Sequence, residues 1–401
     1  MDKDTKIYRS KILAEQNLYR SVVCINDRLE IEAKEKREEV LTFGVKNTID
    51  IPVTIVDKLR ENSKYLFLTV DKMSHLGRSI DTDLINPLTY RCMTGSSSGT
   101  AINIIKGIND FGIGTDGGGS VLAPALSTNL YSFIGSGIDL VTGKGSLSTD
   151  SIVFSAGIGI IAKDFQTLKE VVEDVLEEKI EIKDEVIKVI IPKTNSLILP
   201  DGINMRKEID KVIKNLDNKR FQFIDYDFDN IYERSISIKE INNIFENDLA
   251  DIILTYEGPI DIYGYDETIQ RSFKGKAEKE ITSNGGKALV KSINMCKCTG
   301  ITIPGEKLAS GFVLCGKSGK EGMLKAFYLA QELDSVIDEN EIFQRYFIRR
   351  EKFVEMGGPN GGNGGKGADI IFKADEGLKT LIDLRYMKNI KGAPGNNGEG
   401  K

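Results

Sequence analysis

Three short segments of the sequence combine hydroxyl or amine side chains with glycine. In residues 44–47 (GVKN), an apolar run ends in a lysine. Residues 94–101 (TGSSSGTA) have the pattern of a serine-rich turn that enters an apolar helix. Residues 112–120 (GIGTDGGGS) have the pattern of an apolar strand that leads into a glycine loop ending in serine. Serine hydroxyls and lysine amines can act as nucleophile and base when their surroundings activate them. Each segment taken alone is also compatible with a position that has no catalytic role, since lysines are usually solvated and Ser/Gly stretches usually make surface loops.

The sequence contains one histidine, His75, and this excludes several kinds of site. Zinc or iron sites with several histidines cannot be built, and a Ser-His-Asp triad has only this residue to use. The five cysteines are an odd number in a long chain, which argues against a secreted disulfide framework. Cys296 and Cys298 lack the second pair of a typical metal site. We therefore expect neither metal nor cofactor.

Composition limits the size class and the partners. The 401 residues suit one large domain with an appendage. The chain has 54 basic and 60 acidic residues, which give a net charge of −6. Binding of DNA or of an anionic membrane needs a concentrated positive field, so this charge argues against either as a partner for most of the chain. No apolar run reaches about 18 residues, and the N-terminal MDKDTK lacks an apolar signal core. We expect a cytoplasmic protein.

Strand-like and helix-like patterns alternate along the chain, which predicts an α/β fold with a mixed or parallel sheet core flanked by helices. The predicted strands are 65–70, 186–191, 221–226, 251–256, 300–303 and 312–315, and the predicted helices are 5–40, 101–108, 165–179, 205–216 and 321–333.

Two nucleotide-binding patterns occur, and their context argues against both. The G-x-G-x-x-G match at 112–117 does not open a helix, as a dinucleotide motif must, because more glycines and Pro124 follow. The G-x-x-x-x-G-K-S match at 311–318 encloses Phe-Val-Leu-Cys, which is a buried-strand sequence. Its glycines therefore bracket a strand instead of forming a phosphate-binding loop.

The order and spacing of the three segments resemble the amidase signature family, which hydrolyses or transfers amide groups with a Ser-Ser-Lys triad. Ser96 and Ser120 keep the family's 24-residue interval between the serine turn and a GTDxGGS loop, and Asn86-Pro87 precedes the turn as a family NP pair does. The resemblance covers about residues 1–335. Later stretches resemble the strands that border and close the family's cleft: 251–255, 299–304 and 311–316.

The resemblance implies a role for each matching residue. Ser120 is the expected nucleophile of an acyl-enzyme mechanism, Ser96 the proton bridge with a cis peptide bond, and Lys46 the base. An amine with an ordinary pKa near 10.4 is a base at neutral pH only if its pKa falls to near 7. The apolar neighbours Phe43 and Val45 are compatible with the burial that such a change needs.

The glycines of the third segment fit the same resemblance. Without side chains, the N–H groups of Gly117, Gly118, Gly119 and Ser120 can converge on a developing oxyanion. The implied fold is a mixed sheet flanked by helices, and the implied reaction is hydrolysis of a small-molecule amide.

The segments also depart from the family pattern. Lys46-Asn47 stands where the family has Lys-Asp, and Val121-Leu122 replaces Ile-Arg, so Asp116 loses its expected arginine partner. The triad is kept while its supporting residues change. Two alternatives to an active amidase therefore stay open: a catalytically inactive scaffold, and a relative of the A subunit of tRNA-dependent amidotransferase.

The C-terminal part has a different character. Residues 357–369 hold too much glycine for a helix or strand, which fits either a flexible linker or packed polyproline-II strands, and we favour the second. Residues 349–401 resemble the glycine-rich N-terminal domain of the Obg family of ribosome-associated GTPases, without its opening strands or its GTPase domain. We expect an amidase-like domain at 1–335, a connector at 336–348, and a truncated Obg-like segment that docks on a ribosome or protein, oligomerises, or is a remnant.

Overall fold

One large mixed sheet organises the described part of the chain. The computed structural model describes residues 2–148, 152–181, 185–216, 219–265, 275–276, 281–338 and 340–348, apart from the side chain of residue 342. These residues belong to one compact unit that ends at Ile348. The predictions for residues 349–401 lie outside the described residues, and the domain boundaries stay a prediction.

The helices and strands are short and alternate along the sequence. The helices are α1 Lys3–Gln16, α2 Leu29–Ala33, α3 Val53–Glu61, α4 Ser98–Ile105, α5 Leu122–Ser127, α6 Phe165–Leu176, α7 Met205–Ile213, α8 Arg234–Glu246, α9 Lys320–Val336 and α10 Glu341–Phe343. The strands are β1 Val22–Ile25, β2 Leu41–Lys46, β3 Tyr65–Asp71, β4 Ile80–Ile85, β5 Cys92–Thr94, β6 Phe111–Asp116, β7 Tyr131–Ile134, β8 Val141–Leu147, β9 Val153–Ala162, β10 Ile187–Pro192, β11 Phe221–Tyr226, β12 Ile252–Glu257, β13 Thr299–Pro304 and β14 Gly311–Gly316. None of these helices is long and apolar enough to cross a membrane.

The sheet has twelve strands in the order β1-β3-β2-β6-β9-β7-β13-β14-β12-β10-β11, with β8 paired to β9. Strand β2 runs parallel to β3 and β6, and β10 runs parallel to β11 and β12, while the other pairs are antiparallel. Strands β4 and β5 form a separate antiparallel pair. The predicted α/β class with a mixed sheet flanked by helices is confirmed.

The core lies where helices cover the central strands. Phe43 of β2 stacks on Phe111 of β6 with ring centroids 5.2 Å apart, and Phe133 of β7 contacts Phe327 of α9. All four rings are almost completely removed from solvent. Their burial fixes neighbouring strands in register, because removing apolar area from water dominates the favourable free energy of folding.

The predicted long helix over residues 5–40 is wrong. Helix α1 ends where Asn17 adopts a left-handed backbone conformation with φ 43°, and its N–H donates to the carbonyl of Leu13. Residues Val22 to Ile25 then form β1 at the edge of β3. The β-branched side chains of Val22, Val23 and Ile25 favour a strand once a partner edge is present.

Both nucleotide motif matches fail as predicted. Gly112 and Gly114 lie inside strand β6, paired with β2 and β9, and no helix starts at the end of the motif. Residues Gly311–Gly316 are strand β14 between β13 and β12. Their N–H groups therefore belong to a sheet and form no phosphate-binding loop.

Candidate active site

The three chemistry-bearing segments meet at one edge of the sheet. Lys46 is the last residue of β2, and Thr115 and Asp116 end the neighbouring strand β6. The two strands are parallel, with Gly44 opposite Gly112, so their carboxyl ends lie side by side. The fold therefore brings the lysine to the start of the glycine loop.

The serine-rich turn packs against the nucleophile segment through backbone contacts. The N–H of Ser97 donates to the carbonyl of Ser120 at 3.1 Å. Gly95 has a positive φ of 71°, and a methyl group on it would lie 2.5 Å from Pro124 and 3.3 Å from the Cα atom of Ser120. Only glycine meets both the conformation and the close approach at this position. Ser96 and Ser120 thus belong to adjoining backbone segments.

The amine of Lys46 contacts the serine turn directly. Its Nζ atom donates to Ser96 Oγ at 2.6 Å, to Thr115 Oγ1 at 2.9 Å and to the Thr115 carbonyl at 3.2 Å. The residue is 2% exposed, and burial lowers its pKa to about 7, while the charge of Asp116 acts in the opposite direction. At neutral pH a large fraction of this lysine is therefore the neutral amine, which can accept a proton.

The predicted cis peptide bond at Ser96 is wrong. The cis peptide bond in the described part of the chain is at Gly258–Pro259, and both bonds that flank Ser96 are trans. The positive φ of Gly95 reverses the chain before Ser96, and the Ser96 carbonyl accepts the N–H of Ser74 at 3.3 Å. The turn is therefore made by glycine, without a cis bond that is costly for a non-proline residue.

Backbone N–H groups replace the missing arginine at Asp116. Its carboxylate accepts the N–H groups of Gly119 and Val121, each at 2.6 Å, and that of Leu122 at 3.2 Å. Burial raises the pKa of Asp116, and these hydrogen bonds counteract the rise. The N–H of Gly119 is thus already engaged, while Gly117 and Gly118 stay predicted oxyanion donors.

Asn294 holds the glycine loop through its side chain, a role that was not predicted from the sequence. Its Nδ2 atom donates to the carbonyls of Gly117 at 3.2 Å and Ser155 at 3.0 Å, and its Oδ1 atom accepts the N–H of Gly157 at 2.8 Å. One side chain therefore ties the loop to strand β9. No local sequence pattern predicts this role, because the partners of Asn294 lie more than 130 residues away in sequence.

A cleft of about 370 Å³, part of it open to solvent, leads to Ser120. Its lining consists of Ser79, Thr94, Gly95, Gly118, Gly119, Ser120, Ala123, Arg234, Lys287 and Lys291. The three cationic residues belong to no motif predicted from the sequence, because tertiary folding alone brings them to the loop. Among the described residues, no group of three His, Cys, Asp or Glu side chains is arranged to hold a metal ion.

Comparison with known proteins separates the C-terminal segment from the rest. Residues 345–401 match the family model described as GTP1/OBG. The GTPase Obg of Erythrobacter litoralis is 60% identical over 54 residues, which are 14% of this chain and 15% of that protein. The chain spans only 12 to 16% of the length of such curated relatives, so the match concerns a segment. The predicted Obg-like resemblance is confirmed at the level of sequence.

Solved structures similar to this chain include amidases and hydrolases. The structure of 6-aminohexanoate cyclic dimer hydrolase complexed with substrate aligns with a TM-score of 0.62 at 10% identity, covering 85% of this chain and 95% of that one. Native peptide amidase from Stenotrophomonas maltophilia gives a TM-score of 0.60 at 13% identity, covering 84% and 95%. Identities this low establish the fold alone. The chain therefore has the fold of the amidase-signature enzymes, followed by a segment similar to the GTP1/OBG family.

Proposed function

We propose that this protein is an amide hydrolase in which Ser120 attacks the carbonyl carbon of a small-molecule amide. The contact of 2.6 Å between Lys46 Nζ and Ser96 Oγ carries the proposal, because it joins a buried amine to a hydroxyl in the turn that adjoins Ser120. The pKa of Lys46 near 7 supports it, since a neutral amine is the form that can remove a proton.

The proposed reaction has two stages. In the first, Ser120 Oγ bonds to the carbonyl carbon while its proton passes to Ser96 and the Ser96 proton passes to Lys46. The tetrahedral intermediate then collapses, the carbon–nitrogen bond breaks, and the departing nitrogen receives a proton from Lys46 through Ser96. In the second stage, water attacks the acyl-enzyme and gives its proton to the same relay, which releases the acid and restores Ser120.

The oxyanion of this reaction needs hydrogen-bond donors. We assign them to the N–H groups of Gly117, Gly118 and Ser120, because Gly119 donates to Asp116. Gly118 and Ser120 both line the cleft, and Asn294 holds Gly117 in place. Fixed donors of this kind typically contribute about 2.7–4 kcal/mol each to the stability of the transition state.

A fluorophosphonate probe that phosphonylates activated serines tests the proposal. We expect the full chain to be labelled, Ser120→Ala to be unlabelled, and Ser146→Ala to be labelled like the wild type, since Ser146 is an exposed residue of β8. Hydrolysis of a panel of primary amides should follow the same pattern. A folded wild-type protein that is neither labelled nor active would instead be an inactive scaffold.

For residues 349–401 we propose a role in docking on a ribosome or protein, in the cytoplasm. Their match to the GTP1/OBG family supports this. Ribosomes should co-sediment with the full chain and not with a chain that ends at Ile348, where the compact unit ends. Equal sedimentation of both chains would contradict the ribosomal role.

A further inference from the structure

The connection from β3 to β4 holds the serine-rich turn that carries Ser96. The N–H of Gly95 donates to the carbonyl of Ser79 at 2.6 Å, and the N–H of Gly99 donates to the carbonyl of Lys72 at 3.1 Å. A methyl group on Gly99 would lie 2.5 Å from the carbonyl oxygen of Lys72, so the two backbones touch with no side chain between them. The position of Ser96 therefore depends on this connection.

A buried carboxylate, that of Asp81 in β4, joins the connection to the turn. Its Oδ2 atom accepts the hydroxyl of Ser98 at 2.7 Å and the amine of Lys72 at 2.9 Å. Its Oδ1 atom accepts Lys72 at 3.0 Å and the N–H of Asp83 at 3.0 Å. Asp81 is 1% exposed, and a charge can be buried to this extent only when it is paired and hydrogen-bonded. The carboxylate therefore holds Ser98 and Lys72 in one arrangement.

The fold places this carboxylate beside the proposed proton bridge. Asp81 lies opposite Met93 in the pairing of β4 with β5, and β5 leads directly into the turn. Ser98 is the first residue of α4 and follows Ser96 by two positions. A negative charge at this end of a helix interacts favourably with the helix N–H groups. Removing the charge would therefore loosen the turn close to Ser96.

We infer that Asp81 is a positioning residue that acts through Ser98 to keep Ser96 within hydrogen-bond reach of Lys46. The inference rests on the proposed amide hydrolysis only for its effect on rate, because the effect on the turn needs no reaction. The alternative is that Asp81 contributes to general stability alone. That alternative predicts the same effect of an Asp81 variant whether or not the Ser96 hydroxyl is present.

Asp81→Asn tests the inference, with Asp83→Asn as the matched control. Each variant removes one negative charge of β4 that contacts Lys72, but Asp83 is exposed and pairs with Lys72 at 3.3 Å. Asp81→Asn should slow fluorophosphonate labelling of Ser120 by about 10–10²-fold, as expected for a reacting group that is displaced by about 1 Å. Asp83→Asn should label within about twofold of the wild type.

A second background separates positioning from a general loss of stability. In Ser96→Ala, labelling no longer uses the Ser96 hydroxyl, so adding Asp81→Asn should slow it by less than about threefold further. A slowing as large as in the wild-type background would show that Asp81 acts independently of Ser96, and would overturn the inference. Ser98→Ala removes only the linking hydroxyl and should slow labelling by about tenfold or more. It replaces Asp81→Asn in both experiments if that variant does not fold.

Hydrogen exchange separates this inference from the proposed function. Asp81→Asn should speed exchange of residues 94–101 at least about tenfold, as for loss of a charge-assisted hydrogen bond, whether or not the wild type is labelled. Exchange of residues 299–316, which contain β13 and β14, should not change. Unchanged exchange at the turn, or equal acceleration of both segments, would overturn the inference. Faster exchange at the turn alone, in a protein whose wild type is unlabelled at Ser120, would contradict only the proposed hydrolysis.

Discussion

The Nζ atom of Lys46 lies 2.6 Å from the Oγ atom of Ser96, and both residues are buried. Because burial penalises the ammonium ion and leaves the neutral amine unaffected, the pKa of Lys46 falls to about 7. The negative charge of Asp116 limits this fall. The pair is therefore set to exchange a proton near neutral pH, and this has a direct kinetic consequence.

The rate of Ser120 labelling should rise with pH through an inflection near 7 and then level off. Below the inflection Lys46 is an ammonium ion and cannot take the proton, and above it the neutral amine predominates. Stopped-time labelling with the fluorophosphonate between pH 5.5 and 9 measures this. Lys46→Met should slow labelling by about 10²–10⁴-fold. If the variant kept the same inflection, another group would be the base.

Ser96 and Ser97 form a matched pair for testing the proton bridge. Ser96→Ala should lower kcat/KM by about 10²–10⁴-fold, because it removes the hydroxyl that contacts Lys46. Ser97 is also buried in the turn, but its Oγ atom has no hydrogen-bond partner among the described residues, and its N–H contact to Ser120 survives in alanine. Ser97→Ala should therefore stay within about threefold of the wild type. Equal losses in both variants would indicate a structural role for the turn.

The sequence predicted the elements that local patterns determine. The strand at Phe221–Tyr226 has its predicted bounds, and β14 and α9 lie within a few residues of theirs. The failure at residues 5–40 has a physical cause, since the left-handed Asn17 and the pairing of β1 with β3 depend on tertiary contacts. Periodicity alone does not report whether a neighbouring strand edge is available.

The candidate site was predictable to the extent that its residues share one motif spacing. Ser96 and Ser120 were predicted from their interval and stay predictions, and the contact of Lys46 with Ser96 is consistent with the predicted relay. Asn294 and Arg234 were not found, because each approaches the glycine loop from a distant element with no signature of its own. The spacing of residues in a sequence identifies groups that lie close together along the chain. The residues that support the glycine loop, or that bring charge to it, reach it only through tertiary folding.

Asp116→Asn should both lower the free energy of unfolding and shift the pH dependence of Ser120 labelling. An asparagine side chain has one acceptor oxygen for three buried N–H donors, which costs about 1–3 kcal/mol of the free energy of unfolding. It also removes the charge that raises the pKa of Lys46, so the labelling inflection should move to lower pH. Urea unfolding and the labelling profile measure the two effects. Asp139→Asn, at an exposed left-handed position, is the control, and an unmoved inflection in Asp116→Asn would contradict the electrostatic coupling.

Glu257 links protein stability to pH through the loop that carries the buried residues Lys287 and Lys291. Its carboxylate accepts the N–H groups of Ala288 at 2.6 Å and Leu289 at 2.8 Å, and burial raises its pKa to about 7. A carboxyl group whose pKa is higher in the folded state stabilises the fold at low pH, and this contribution disappears as pH rises through 7.

Glu257→Gln should remove that pH dependence. Between pH 4.5 and 8, the free energy of unfolding of the wild type should fall relative to the variant by up to about 3 kcal/mol, because glutamine does not ionise. Other groups, including buried Asp71, whose pKa is raised to about 6, are present in both proteins and cancel in the difference. Urea titrations at several pH values measure it, with exposed Glu61→Gln as the matched control. Parallel curves for wild type and Glu257→Gln would show that Glu257 keeps an ordinary pKa, and the loop would then be held independently of pH.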